Sequence, residues 1–168
     1  MNAKQNKHMK NVLLILICLL IISCKDNEQV KDHLNLESKL SGKWIAKAFD
    51  GELHEEWTLN DKGWMQQKGY YIEIRDTSYV ANTQIQQVGN DVILFSVIRN
   101  SNPKIFKLID SNENRLVFEN DDYKNPFQVK YEFISNKKYR RTIKGFENDS
   151  IVIYEFHFDK NESPLHNN

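Results

Sequence analysis

The sequence predicts an all-β domain, an antiparallel up-and-down barrel of about 8–10 strands behind a short N-terminal helix or tether. Three observations carry this. Turn-forming clusters recur along the chain from Lys43 onward, about 11 to 15 residues apart, and separate short runs rich in β-branched and aromatic residues. Late in the chain those runs alternate with period two: Phe127, Val129, Tyr131 and Phe133 share one face, and Val152, Tyr154, Phe156 and Phe158 share another. No helical pattern of 10–15 residues lies between strands, which excludes βαβ topology.

Residues 1–23 read as an export signal. They carry Lys4, Lys7 and Lys10 and no acid, then eleven consecutive apolar residues from Val12 to Ile22, then Ser23. At about 1.5 Å per residue that run spans roughly half a hydrocarbon core, so a cleaved signal fits better than a membrane span. Ile21-Ile22-Ser23-Cys24 resembles the lipobox of bacterial lipoproteins. The resemblance implies that the Cys24 thiol takes a diacylglycerol, that the signal is cut before it, and that the new amino group is acylated. Several acyl chains, at about 0.8 kcal/mol per buried methylene, anchor a protein stably. The expected location is the outer membrane of the bacterial cell envelope, on its periplasmic or its surface-exposed side, with the membrane as the partner of Cys24. Lys25-Asp26-Asn27-Glu28 resembles the charged tether that directs some lipoproteins to the cell surface, and reads equally as a plain solvated linker.

Residues 24–41 form the lipidated cysteine and tether. Leu36 and Leu40 stand four apart, as do Val30 and Leu34, a spacing that allows a short helix before Ser41-Gly42. The barrel is expected over 42–158. Its nine breaks are Asp50-Gly51, Asn60 to Gly63, Arg75 to Ser78, Gly89 to Asp91, Asn100 to Pro103, Asp110 to Asn114, Asn120 to Pro126, Asn136-Lys137 and Glu147 to Ser150. One-sided burial of sequential antiparallel strands favours closure, which removes exposed edges, over an open sandwich. A barrel of this size encloses one small ligand at most. Residues 159–168 are expected to be a disordered tail.

Composition narrows the function. Without the three signal lysines, 20 basic residues face 23 acidic ones, so no nucleic-acid footprint is expected. The mature chain after Cys24 has no cysteine, which excludes a disulfide framework and a thiolate metal site there. No Gly-x-Ser-x-Gly elbow is present. His54 beside Glu55 and Glu56, and Glu155 beside Phe156 and His157, are spaced too loosely to force the three or four converging ligands that zinc needs, so neither a metal nor another cofactor is expected. Asp121 and Asp122 sit in a turn cluster with Asn120, where capping of backbone amides accounts for them. Trp64, Tyr70 and Tyr71 lie where polar and aromatic residues mix on both faces, which a bulge or an exposed partner surface would explain.

Gly42-Lys43-Trp44, just before the first strand, resembles the Gly-x-Trp opening of lipocalins. There the tryptophan plugs one end of the barrel and a late-strand arginine packs over it; Arg140 and Arg141 match that partner. A closer resemblance, over 42–158, is to a lipocalin-like family of exported bacterial domains of unknown function with a calycin-type barrel. Glu55-Glu56-Trp57, Gly63-Trp64-Met65 and Phe118-Glu119-Asn120 match its motifs in order and spacing. The last motif departs: Asn125-Pro126-Phe127-Gln128 reverses Pro and Phe, and the family's His–Asp pair is missing its histidine. The resemblance implies the fold and carries no activity.

Parity then singles out the interior. Trp44 alternates with Lys43 and Lys47; Trp57 shares its face with Leu53, Leu59 and Glu55; Arg141 shares its face with Tyr139 and Ile143. Glu55 and Arg141 are thus charges on apolar, inward faces, where an unpaired charge is costly. Arg141 can pair with Glu55, stack on Trp44 or Trp57, or hold an anionic headgroup; a one-residue shift of its strand would hand these roles to Arg140. The candidate ligand-binding residues are Trp44, Glu55, Trp57, Tyr131 and Arg141. The expected function is a membrane-anchored lipoprotein whose barrel binds a small hydrophobic or amphipathic ligand, a carboxylate among them. The alternative is a structural or interaction module of the envelope with a side-chain-filled barrel.

Overall fold

The computed structural model describes residues 34–74, 76–98 and 101–161. The signal, Cys24 and most of the tether lie outside the described residues. A five-residue helix, α1 (Leu36–Leu40), is followed by ten strands: β1 (Gly42–Ala48), β2 (Gly51–Leu59), β3 (Met65–Glu73), β4 (Asp76–Val88) and β5 (Asp91–Ile98), then β6 (Lys104–Asn112), β7 (Arg115–Glu119), β8 (Gln128–Ser135), β9 (Lys138–Glu147) and β10 (Ser150–Lys160). Each strand pairs antiparallel with the next, and β1 closes on β10. The expected all-β up-and-down barrel is the fold observed, and no sheet edge is left open.

Turn chemistry sets the strand ends. Asn148 and Asp149 connect β9 to β10 with φ of 48° and 60°, and Gly89 opens the β4–β5 turn at φ 61°. These are residue types that reach the left-handed region at little cost, as two-residue hairpins require. Asn60 closes the β2–β3 loop, its Oδ1 accepting from the backbone N–H groups of Lys62 at 3.0 Å and Trp64 at 2.9 Å. Phe49 and Ile74 occupy the same left-handed region in the β1–β2 and β3–β4 turns, with no such excuse of chemistry.

The interior is layered. At one end α1 lies across the barrel: Leu40 is fully buried, and Trp44 Nε1 donates to the Leu40 carbonyl at 2.6 Å. Lys39 Nζ donates to the Glu113 carbonyl at 2.5 Å, in the β6–β7 turn, and lies over the Phe133 ring. Burial holds the Lys39 ammonium pKa below its ordinary value, against the opposing pull of Glu113. Above this plug Trp44 packs edge-on against Tyr139, 4.8 Å between centroids, and Tyr139 stacks on Phe158 at 4.7 Å. Trp57, Phe118 and Tyr131 continue the aromatic column toward the other end.

Four expectations need correction. β10 runs to Lys160, two residues beyond 158, so the first residues of the expected tail belong to the barrel. Because Trp44 pairs in register with Lys160, the cation over its ring is Lys160 Nζ, at 5.3 Å, and neither Arg140 nor Arg141. Leu59, expected inward, is exposed because it ends β2 beyond the covering strands. Phe127 precedes β8 and stacks on the exposed Phe146 at 5.1 Å, outside the core. The β3–β4 ladder shifts register between Tyr71, which pairs with Tyr79, and Ile72, which pairs with Thr77, so the extra residue of this bulge lies in β4.

Candidate functional site

The hairpin connections alternate between the two ends of the barrel, and the end opposite α1 carries the β1–β2, β3–β4, β5–β6, β7–β8 and β9–β10 turns. Beneath these turns lies a cavity of about 80 Å³. Its apolar walls include Leu53, Ala81, Leu94, Phe106, Val129 and Ile143. Its polar lining includes Glu55, Gln67, Thr83, Ser96, Tyr131 and Arg141, with His54, Tyr70 and Lys104 also bordering it. The volume fits on the order of five waters or a small ligand group, well under the roughly 300–1,000 Å³ of a drug-sized pocket.

Glu55 organises the floor. The β1–β2 and β2–β3 registers place it opposite Trp44 on one side and Gly69 on the other, facing inward at 3% exposure. Its Oε1 accepts from Arg141 Nη1, and its Oε2 accepts from Tyr139 Oη at 2.5 Å and Trp57 Nε1 at 3.1 Å. Two strands far apart in sequence, β2 with Trp57 and β9 with Tyr139 and Arg141, thus deliver three donors to one carboxylate. Of the three fates open to Arg141, the pairing with Glu55 is the one observed. Its guanidinium also lies over Phe158 at 5.0 Å and Phe156 at 5.5 Å, in place of the tryptophans, because β9 pairs with β10 at Arg141 and Phe156. Tyr131, which faces Arg141 across the β8–β9 ladder, takes a hydrogen bond from it.

Burial pushes the Tyr131 and Tyr139 phenol pKa values well above their ordinary range, and the Glu55 carboxylate beside them adds to the effect; Arg141 opposes it. Both phenols are therefore neutral hydrogen-bond donors throughout the physiological range. On the outer face, desolvation raises the Glu132 carboxyl pKa, but the hydrogen bonds from Lys130 and Arg140 outweigh it and hold it low. Arg140 accordingly points outward, bonded to Glu132 at 3.0 Å, and β9 has no shifted register there.

Of the five candidates read from the sequence, Glu55, Tyr131 and Arg141 line the cavity. Trp57 lies beneath it and binds Glu55, while Trp44 belongs to the plug at the opposite end. Gln67, Thr83, Ser96 and Lys104 were not among them. The inward parity of Met65, Gln67 and Gly69 on β3, and of Ala81, Thr83 and Ile85 on β4, was the available signal. Thr83 Oγ1 and Ser96 Oγ are 3.2 Å apart across β4–β5 and hydrogen-bond each other. His54 is engaged outside this network, 3.0 Å from Glu52 and stacked on Tyr70. Among the described residues no three His, Cys, Asp or Glu side chains converge as metal ligands would. What the site offers is a small apolar chamber over a neutralised ion pair, an arrangement suited to binding. Compared with protein-family models and with curated proteins, the chain matches none.

Proposed function

We propose that the protein is a lipid-anchored envelope lipoprotein whose lipocalin-like barrel binds one small amphipathic ligand in the cavity at its open end. The cavity carries the reading. One half of the barrel is filled with Trp44, Trp57, Tyr139 and Phe158, yet the other half keeps about 80 Å³ open above Glu55 and Arg141. A core evolved only for packing leaves few voids larger than a water. The Cys24 anchor supplies the second half of the proposal: acylated there, the barrel hangs from the outer membrane on a tether that ends at α1.

Two experiments test the two halves. Mass spectrometry of the natively purified protein, before and after solvent extraction, should release a small organic ligand; a chain that never carries or takes up one is a structural module. The filled half of the interior is the observation that favours that second reading. Cys24→Ala should abolish labelling with radioactive palmitate and leave the precursor uncut, and a labelled variant would refute the anchor.

A further inference from the structure

The lining of the cavity narrows the chemistry of its occupant. Gln67 is 4% exposed, and its Oε1 is fully buried with no hydrogen-bond partner in the protein. An unsatisfied buried carbonyl carries its full desolvation cost, so a chain rarely keeps one without something to fill it. The backbone makes room for this side chain. A Cβ at Gly69, two residues along β3, would stand 2.3 Å from Gln67 Nε2, so only glycine lets the carboxamide fold over its own strand. The β3–β4 and β4–β5 registers then place Gln67 beside Thr83, and Thr83 beside Ser96, as a row of neutral polar groups along one wall.

The carboxylate in the site is satisfied within the protein. Glu55 accepts from Arg141, Tyr139 and Trp57, so its two oxygens are engaged, and the Arg141–Glu55 pair is neutral as a unit. A carboxylate entering the chamber would add a buried negative charge beside Glu55 and set its oxygen against the Gln67 oxygen. Both are unfavourable in a desolvated site. Lys104 stands at the rim with its Nζ 4.4 Å from the centre of the Tyr123 ring, away from the floor.

We infer that the ligand enters the cavity with an uncharged end that donates a hydrogen bond to Gln67 Oε1, its apolar body lying against Leu53, Leu94, Phe106 and Ile143. That makes it a small alcohol or primary amide and not a fatty carboxylate. This rests on the binding function proposed above and specifies its ligand class.

The test is a titration of the full chain, followed by tryptophan fluorescence, with three probes of one chain length: 1-hexanol, hexanamide and hexanoate at neutral pH. Trp57, bonded to the cavity-lining Glu55, is the reporter. Hexanol or hexanamide should bind about tenfold tighter than hexanoate, and Gln67→Met should weaken the two neutral probes about fivefold or more, the loss of one hydrogen bond. The selectivity is read on the natural chain, so it stands whether or not the variant folds. Hexanoate binding equal to or tighter than hexanol overturns the ligand class and leaves the binding function intact. So does neutral-probe affinity unchanged in a folded Gln67→Met variant. Binding of none of the three overturns both.

Discussion

Glu55 and Arg141 form an ion pair across the inside of the barrel, 86 positions apart in the chain. Neither side chain reaches water freely: the arginine side chain is 13% exposed and the glutamate 2%. Burying two charges is expensive, and their attraction offsets this only when the remaining hydrogen-bonding positions are also satisfied. Tyr139 and Trp57 meet that condition for the carboxylate, and the faces of Phe156 and Phe158 shield the guanidinium. The pair links β2 to β9, strands that share no ladder, and so ties the barrel wall together across the intervening β1 and β10.

Glu55→Gln should therefore destabilise the fold by about 3–5 kcal/mol, because it leaves Arg141 buried and uncompensated. Arg141→Met should cost a similar amount for the reciprocal reason. The double variant Glu55→Gln/Arg141→Met should lose at least 1 kcal/mol less than the two single losses combined, since the residues are in contact. Urea unfolding of the four proteins closes the cycle, and strict additivity would show that the pair is not coupled.

The two buried phenols set the alkaline limit. Tyr131 and Tyr139 keep their protons in the folded barrel to a higher pH than the ordinary tyrosine value of 10.0. Above that value the unfolded chain loses protons that the folded one retains, so stability falls as pH rises. Below it, their contribution is fully present. Each phenol should subtract about 1.4 kcal/mol per pH unit above pH 10, and Tyr139→Phe should halve the combined slope. Denaturant midpoints measured from pH 9 to 12 check this; an unchanged slope in the variant would show that Tyr139 ionises without unfolding.

Much of the fold was legible because its strands bury one face only. In β8, Val129, Tyr131 and Phe133 alternate with Lys130 and Glu132, and a wet outer face makes that alternation plain. Turn chemistry was equally clear at Asn148-Asp149 and Gly89-Asn90. β3 was harder to read: polar Gln67 and Gly69 stand at its inward positions, and Ile74 takes a turn position that its side chain argues against. The inward facing of Glu55 and Arg141 followed from local parity. Their contact did not, since it depends on how β1 closes on β10 and on the stagger of the whole barrel. The same closure places Lys160 over Trp44, a pairing invisible while the chain was expected to leave the barrel at 158. Gln67 went unnoticed because a polar residue on a strand of mixed pattern looks like surface.

Ile74 offers a gain in stability. It has φ 46° and is 91% exposed, so it bears the strain of a β-branched residue in the left-handed region without any packing in return. Ile74→Asn should stabilise the protein by about 1 kcal/mol and raise its melting temperature by roughly 3 °C. Phe49 has the same backbone conformation but touches the rings of Tyr71, Tyr154 and Phe156, so Phe49→Asn should show no such gain. Calorimetry on the two variants separates strain from packing, and equal shifts would contradict the argument.

The plug at the α1 end should govern stability without touching the binding end. Leu40 is fully buried, and its carbonyl takes the Trp44 indole proton, so the short helix is held by one side chain and one hydrogen bond more than by its own five residues. A helix that short has no independent stability. Leu40→Ala should cost about 2–5 kcal/mol, the range for truncating a buried leucine. Trp44→Phe should cost at least the 1–3 kcal/mol of leaving the Leu40 carbonyl buried without its donor. Neither residue lines the cavity, which lies beyond the layer of Trp57 and Tyr139. At temperatures where both variants remain folded, the Trp57 fluorescence response to 1-hexanol should keep its midpoint within about twofold, a change of no more than ~0.4 kcal/mol. A tenfold weakening on loss of Leu40 would instead mean that the two ends of the barrel are mechanically coupled, and that the plug shapes the cavity as well as closing the fold.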